Sequence, residues 1–209
     1  MTLISHEKKF IYIKNTKVAG TSIEAYFDKY CIPFEKDYKQ NHSVSFKESI
    51  YGIRTGRLRV DIAPLINHSS AIDIKKYIGD DKFNSYLKFC VIRNPYDKMV
   101  SYYFFLKNWR KEHNLTFKEF CKEYDCKNIE RYSIDGESCI DFYIRFEYLL
   151  EDLEKLCKIL EIEFNKEELQ HYKSEFREKR PYQDFYDKET RKIVYNNHKE
   201  EFIKFKYEF

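Results

Sequence analysis

FIYIKNTKVAGTSIEAYF, residues 10–27, changes from strand-like to helix-like periodicity within a few residues. Its first part is an alternating apolar segment, which predicts a β-strand over about 9–15. Its last part carries apolar residues at helical spacing and predicts a helix near 20–30. The loop between them therefore leads from the end of a strand to the unpaired N–H groups that begin a helix.

The residues of this loop are those of an anion-binding site. A helix N-terminus attracts anions because its first N–H groups are unpaired and carry partial positive charge. Gly20 allows a ligand to approach the backbone closely, and Lys17 adds a positive charge. Thr21 and Ser22 add hydroxyl donors. The alternative is an ordinary strand–helix turn with a surface lysine.

The order of these residues differs from that of an ATP- or GTP-binding loop. In the pattern G-x-x-x-x-G-K-[ST] the Lys follows the second Gly, and the hydroxyl after it binds Mg²⁺. Here Lys17 precedes Gly20. The Mg²⁺-binding arrangement of that motif is therefore absent from this loop.

Composition predicts one globular domain over residues 1–209. The chain has 43% hydrophobic and 35% charged residues, and its net charge of +3 gives no reason to expect a nucleic-acid partner. The six cysteines form no C-x-x-C pair and no zinc-binding spacing, so we predict no metal site. No segment approaches the roughly 20 apolar residues of a membrane span. We expect a soluble, cytoplasmic protein.

Predicted strands and helices alternate along the chain, which indicates an α/β fold with a mainly parallel central sheet flanked by helices. The remaining predicted elements are a helix at SSAIDIKKYIG (69–79), a strand at YLKFCVI (86–92), a helix at NPYDKMVSYYFFLKNW (94–109), a strand at FYIRF (142–146), and helices at YLLEDLEKLCKIL (148–160), 166–178 and 188–206. Residues 31–67 are predicted to be irregular, with a turn at YGIRTGRL (51–58) and weak strand character at LRVDI (58–62).

A second strand–helix junction carries anion-binding chemistry. Arg93 follows the apolar strand directly and precedes the next helix, and Ser101 lies two helical turns later. The planar guanidinium of Arg suits a phosphate, although an ion pair with a nearby carboxylate is the alternative. Two such junctions suggest a ligand with two separated phosphate-like groups.

Together, TKVAGTSIE (16–24), NHSSA (67–71) and FCVIRNPYDKMVSYY (89–103) resemble the sulfotransferase superfamily that uses 3′-phosphoadenosine 5′-phosphosulfate (PAPS). The chain is most similar to the carbohydrate sulfotransferase branch with bacterial members, the sulfotransferase family 2-like proteins. IRFEYLLEDLEKLCKIL (144–160) and the segment from RPYQDFY onward also look like family segments. The resemblance implies a single P-loop-like domain, with PAPS as co-substrate and a carbohydrate as acceptor.

The resemblance also implies roles for individual residues. Arg93 and Ser101 are expected to bind the 3′-phosphate, and Arg180 to reach a phosphate from a loop that closes over the nucleotide. Many relatives have Pro before the loop Lys and Thr after it, whereas Thr16 and Val18 stand here, and losing that Thr hydroxyl is expected to loosen the loop. The residues expected to bind the 5′-phosphosulfate are Lys17, Ala19, Gly20, Thr21 and Ser22.

Two residues are expected to be catalytic. Lys17 stabilises the leaving phosphate without Mg²⁺, since a transferring sulfuryl group bears less charge than a phosphoryl group. His68 is expected to be the general base, because it precedes a capped helix, relatives carry a His there, and an ordinary pKa near ~6.5 suits the task. A His that only packs the helix start is the alternative, and Glu24 is the rival base.

The sequence thus predicts a sulfotransferase that moves the sulfuryl group of PAPS to a carbohydrate hydroxyl, on a polysaccharide or glycolipid. The alternatives are a P-loop kinase-like phosphotransferase and a catalytically silent module that binds nucleotide or glycan. The acceptor sugar, the sulfated position, the adenine-stacking residue and the oligomeric state are not predicted.

Overall fold

The computed structural model describes residues 1–33, 46–56, 63–169 and 177–209. The chain forms two compact units. The first comprises Met1–Asn15, Ala19–Ile92 and Glu130–Tyr172, and the second comprises Thr16–Val18, Arg93–Ile129 and Lys173–Phe209. The prediction of one sulfotransferase domain over residues 1–209 stays a prediction.

A six-stranded sheet forms the framework of the first unit, with the strand order β3-β4-β1-β2-β5-β8. A separate two-stranded hairpin, β6-β7, belongs to the same unit. The strands are β1 (Leu3–Ser5), β2 (Phe10–Tyr12), β3 (Lys47–Glu48), β4 (Gly52–Arg54), β5 (Leu87–Ile92), β6 (Ser133–Ile134), β7 (Glu137–Ser138) and β8 (Phe142–Arg145).

The sheet is mixed, so the prediction of a mainly parallel sheet is wrong. β5 runs parallel to β2 and to β8, whereas β1 pairs antiparallel with β2 and β4, and β3 with β4. Residues 6–9 join β1 to β2, and residues 49–51 join β3 to β4. Connections this short permit only antiparallel neighbours, because a parallel pair needs a crossover of about a dozen residues or more.

Helices occur in both units. The first unit contains α1 (Gly20–Phe27), α2 (Ala71–Ile78), α3 (Asp80–Ser85) and α6 (Leu149–Ile159), whereas the second contains α4 (Pro95–Phe104), α5 (Phe117–Glu123), α7 (Lys188–Asn197) and α8 (Lys199–Phe205). The α/β class is confirmed. The predicted helix over 69–79 is α2, with the capping box of Ser70 and Asp73 at its start and Gly79 at its end.

The start of α4 follows from two adjacent residues. The Asn94 side chain accepts a hydrogen bond from the Tyr96 N–H at 3.0 Å, and Pro95 occupies the first helical position, where no N–H is needed. The helix continues as a π-helical segment over Phe105–Arg110. Arg93 therefore stands between the end of a buried strand and a capped helix, as the sequence predicts.

Several predicted boundaries differ from the structure. The segment 51–58, predicted as a turn, contains strand β4, and residues 188–206 form two helices separated at His198. Only one 3₁₀ turn, Lys166–Glu168, occurs in the described part of 166–178. The segment LRVDI (58–62) lies outside the described residues.

Each unit has its own aromatic core. In the first unit the rings of Phe10, Phe27 and Phe89 pack with centroids 5.1–5.6 Å apart, which joins β2, α1 and β5. In the second unit Tyr103 lies edge-on to Phe104, Phe117 and Phe120. These pairs combine apolar burial with favourable ring geometry and hold α4 against α5.

The close approach of β4 to β1 depends on Gly52. A Cβ on Gly52 would lie 2.1 Å from the Ile4 carbonyl oxygen and 3.1 Å from the Cα of Cys31, and neither atom can move without its strand or turn. We expect Gly52→Ala to lower the free energy of unfolding by about 3 kcal/mol or more.

The control is Gly79→Ala, where φ is +83° and nothing lies within 4 Å of the added Cβ. Its cost should be only the backbone strain of a conformation with φ 83° and ψ 160°, about 1–3 kcal/mol. Urea denaturation of both variants measures the difference, and equal losses would contradict the proposed clash.

Candidate functional site

The start of α1 in the first unit has the geometry of an anion-binding turn. Ala19, its N-cap, lies in the left-handed region with φ 60° and ψ 23°, and Gly20 begins the right-handed helix. Such an alternation turns successive N–H groups toward one point, which is an arrangement that binds anions. Among the residues that the structure describes, no side chain forms a capping hydrogen bond at this end of the helix.

Gly20 packs closely against side chains near the end of the preceding strand. A Cβ at this position would meet the Tyr12 hydroxyl at 3.0 Å and the Lys14 Cε at 3.1 Å. Of the two predicted hydroxyl donors, Thr21 is half-buried, whereas Ser22 is buried and its N–H donates to the Ala19 carbonyl at 3.0 Å. The predicted 5′-phosphosulfate residues of the first unit thus share one helix start.

Lys17 belongs to the second unit and is also left-handed, with φ 60°. Its ammonium lies 3.9 Å from the centroid of the Phe105 ring, at a distance suited to a cation–π interaction. Its carbonyl accepts a hydrogen bond from Arg93 Nη1 at 3.1 Å. The structure therefore brings the Arg93 guanidinium to the backbone of Lys17, although the two residues are far apart in sequence.

Arg93 is buried and paired with a carboxylate, which was the alternative for this residue. Its Nε and Nη2 donate to Asp97 Oδ2 at 2.8 and 2.7 Å, one turn into α4. Arg177 Nη1 contacts the other oxygen of Asp97. The half-buried Asp97 thus orients two guanidinium groups.

Arg177 is a residue that sequence reasoning missed. Only its place in the basic run REKR, three residues before Arg180, could have signalled it. Arg180 itself pairs with Glu178 at 3.0 Å, and its guanidinium lies 3.8 Å from the centroid of the Phe185 ring. An open cavity of about 400 Å³ is lined by both arginines together with Glu178, Lys179 and Pro181.

Ser101 lies on α4, two turns after Arg93, and is half-buried. Within the ranges described, its hydroxyl makes no hydrogen bond. A donor at this position is consistent with the predicted phosphate contact, which stays a prediction.

His68 occupies a strained turn of the first unit. Its φ is +66°, and the turn is closed by Ser69, whose hydroxyl donates to the Ile66 carbonyl at 2.8 Å and accepts from the Ile66 N–H at 2.9 Å. His68 Nδ1 lies 3.0 Å from the Lys14 carbonyl oxygen. Since a carbonyl only accepts, Nδ1 carries the proton and Nε2 carries the lone pair that a general base needs.

The pKa of His68 differs from the ordinary value that the sequence suggested. Burial, followed by the positive charge of Lys14, lowers the pKa of the imidazole to about 2. His68 is therefore neutral at physiological pH, but it binds a proton weakly in the absence of a bound anion.

Glu24, the rival base, is fully buried on α1. Its Oε1 lies 2.5 Å from Lys14 Nζ and also contacts the amino group of Met1. Lys14 thus joins the two rivals, with its carbonyl on His68 and its ammonium on Glu24. Of the two, only His68 retains partial exposure, and a base must touch the acceptor.

Comparison with known proteins relates the chain, an α/β protein with a mixed sheet, to an archaeal protein. No family model matches it, and no solved structure matches it. An archaeal protein of Archaeoglobus fulgidus, described as "Uncharacterized protein", is 37% identical over 91 residues, which cover 41% of this chain and 76% of the relative. The chain belongs to the same family as this archaeal protein.

Two further findings concern only the part of the chain that the structure describes. No helix there is long and apolar enough to cross a membrane. No group of three or more His, Cys, Asp or Glu side chains there is arranged to hold a metal ion.

Buried neutral histidines predict how stability depends on pH. The pKa of His68 is about 2 in the folded chain and ordinarily near 6.5, so between these values only the unfolded chain binds the proton. The free energy of unfolding should therefore fall as pH falls through 6.5, by about 1–2 kcal/mol for His68 between pH 7 and pH 5.

His198 provides a matched case in the second unit, because burial and then Lys98 lower its pKa to about 3. His68→Gln and His198→Gln should each remove their own share of this pH dependence. Urea denaturation at the two pH values measures it. A slope unchanged in His68→Gln would contradict the burial of a neutral imidazole at this position.

Proposed function

We propose that the chain is a PAPS-dependent sulfotransferase that transfers the sulfuryl group to a hydroxyl of a carbohydrate. The observation that carries the proposal is the hydrogen bond from Arg93 to the Lys17 carbonyl, since it joins the two motifs that suggested two phosphate groups. The left-handed Ala19 at the start of α1 supports an anion on that helix end.

The residues fit the two ends of PAPS by charge and by donor type. Arg93 and Arg177 both pair with Asp97, and their guanidinium groups suit the 3′-phosphate. The ammonium of Lys17 and the first N–H groups of α1 suit the 5′-phosphosulfate. Ala19, Gly20, Thr21, Ser22, Ser101 and Arg180 are proposed as further binding residues.

The proposed transfer forms a bond between the acceptor oxygen and sulfur and breaks the bond between sulfur and the 5′-phosphate oxygen. Lys17 offsets the negative charge that develops on the leaving phosphate. His68 Nε2 takes the acceptor's proton, and the Lys14 carbonyl holds the imidazole in the required tautomer. The negative charge of PAPS opposes the effect of Lys14 and raises the basicity of His68.

Ligand-dependent thermal unfolding tests the proposal against its rival, a P-loop kinase-like phosphotransferase. At about 100 times its Kd, desulfated PAPS (PAP) should raise the Tm by roughly 5–10 °C without Mg²⁺. Adenosine 5′-phosphosulfate, which lacks the 3′-phosphate, should shift it less. A shift with ATP and Mg²⁺ but none with PAP would reject the sulfotransferase.

Arg93→Ala is the matched variant for this measurement. It should weaken the binding of PAP by about 1.5–3 kcal/mol, which is the net contribution of a charged hydrogen bond. It should weaken the binding of adenosine 5′-phosphosulfate far less. Transfer of labelled sulfate from PAPS to a panel of glycans then separates an enzyme from a silent binding module.

The base assignment predicts a separation of turnover from nucleotide binding. His68→Gln should lower kcat by about 10²–10⁴-fold with little change in PAP affinity, since the base contacts the acceptor. The kcat/KM profile should lack a limb near pH 6.5 from the free protein, because burial lowers the pKa of His68 to about 2. If Glu24→Gln alone abolishes turnover, Glu24 is the base.

A further inference from the structure

The segment Thr16–Lys17 in the second unit has a backbone that its residues do not favour. Lys17 has φ 60°, and a left-handed conformation is costly for any residue with a Cβ. Such a conformation persists only where neighbouring groups hold it in place, and it is concentrated at ligand-binding turns.

One buried side chain binds both polar backbone groups of Thr16. Asn128 Oδ1 accepts a hydrogen bond from the Thr16 N–H at 2.8 Å, and Asn128 Nδ2 donates to the Thr16 carbonyl at 3.2 Å. The side chain thus pairs with Thr16 as a neighbouring β-strand would. Asn128 is 3% exposed, so water does not compete for these bonds.

Asn128 is itself fixed by a buried ion pair. Its N–H donates to Glu201 Oε1 at 2.9 Å, and the second oxygen of Glu201 contacts Lys98 Nζ. Lys98 and Glu201 are 1% and 5% exposed. Separating a buried pair of this kind leaves an uncompensated charge, which makes the position of Asn128 rigid.

Two sets of hydrogen bonds connect the Thr16–Lys17 segment to α4 or to the residue directly before it. Asn128 reaches it through Glu201 and Lys98, and Arg93, directly before its capped start, donates to the Lys17 carbonyl at 3.1 Å. The backbone is therefore held at the Thr16 N–H, the Thr16 carbonyl and the Lys17 carbonyl. This leaves Lys17 little freedom to return to the right-handed conformation.

We propose that Asn128 is a positioning residue for the anion-binding loop, which holds Thr16–Lys17 so that the Lys17 ammonium is preorganised for a phosphate. Preorganisation strengthens binding because the ligand need not order the loop. The hydrogen bonds from Asn128 that hold the Thr16 backbone, here called the clamp, do not depend on the proposed function. Their effect on PAP affinity rests on the proposed function.

Amide hydrogen exchange tests the clamp without any ligand. Asn128→Ala removes both bonds to Thr16, and the Thr16 amide should then exchange at least about tenfold faster. The amides of α6 in the first unit should keep their rates, which distinguishes local release from general loss of stability. Unchanged exchange at Thr16 would overturn the proposal.

Two further variants keep this test decisive. Asn165→Ala is the matched control, because it removes another asparagine-to-backbone bond, the 3.0 Å bond from the Glu167 N–H, and it should leave Thr16 unaffected. Asn128→Asp keeps the shape and the acceptor but loses the donor. It serves if Asn128→Ala does not fold, and it should release Thr16 partially.

A double-mutant cycle on PAP affinity tests whether Asn128 acts through Lys17. Asn128→Ala and Lys17→Ala should each lower the affinity for PAP by about tenfold. The double variant should bind PAP as Lys17→Ala alone does. Additive losses would overturn the positioning role. If the wild-type chain does not bind PAP, the proposed function fails, and the exchange rates alone decide whether the clamp exists.

Discussion

The hydrogen bond between the Arg93 guanidinium and the Lys17 carbonyl is the interaction on which the candidate site of the second unit depends. This bond fixes both of its partners, an arginine at the end of a buried strand and a lysine in a left-handed turn. Asp97 supplies the other half of the geometry by binding the remaining edge of the guanidinium. A planar group held at both edges keeps one orientation, which a long flexible side chain otherwise lacks.

Buried ion pairs also fix the positions of side chains elsewhere in both units. The first unit pairs Arg54 with Asp28, and the second pairs Lys98 with Glu201, all at or below 5% exposure. The burial cost is visible at Asp28, where desolvation raises the pKa even though Arg54 opposes the shift. Such pairs add little net stability, but they are costly to break, so they fix the positions of the groups that they join.

The chemistry proposed for the loop follows from the absence of the Mg²⁺-binding order of residues, in which a Lys and then a hydroxyl follow the second Gly. A kinase loop uses a Lys after its second Gly and a hydroxyl on Mg²⁺ to neutralise a highly charged phosphoryl group. This loop has its lysine before a single Gly, Val18 instead of a hydroxyl after that lysine, and left-handed backbone at Lys17 and Ala19. The lack of a Mg²⁺-binding hydroxyl is the reason that we propose transfer of the less charged sulfuryl group.

The sequence by itself determined the elements whose signals are local. The capping box at Ser70, the Asn94–Pro95 start of α4 and the apolar strand before Arg93 all depend on neighbours within a few residues, and each is present. The share of parallel strand pairs in the sheet was overestimated. The strands β1 and β4 have only three residues each, which is too short for their sequences to show strand periodicity.

Tertiary structure alone decided which partners the site residues have. Asn128 binds Thr16 and Lys98 binds Glu201 across more than 100 residues, and Arg177 contacts Asp97 across 80. A single asparagine or glutamate carries no periodic signal that identifies such a partner. The low pKa of His68 has the same origin, since burial and the nearby charge of Lys14 exist only once the first unit has folded.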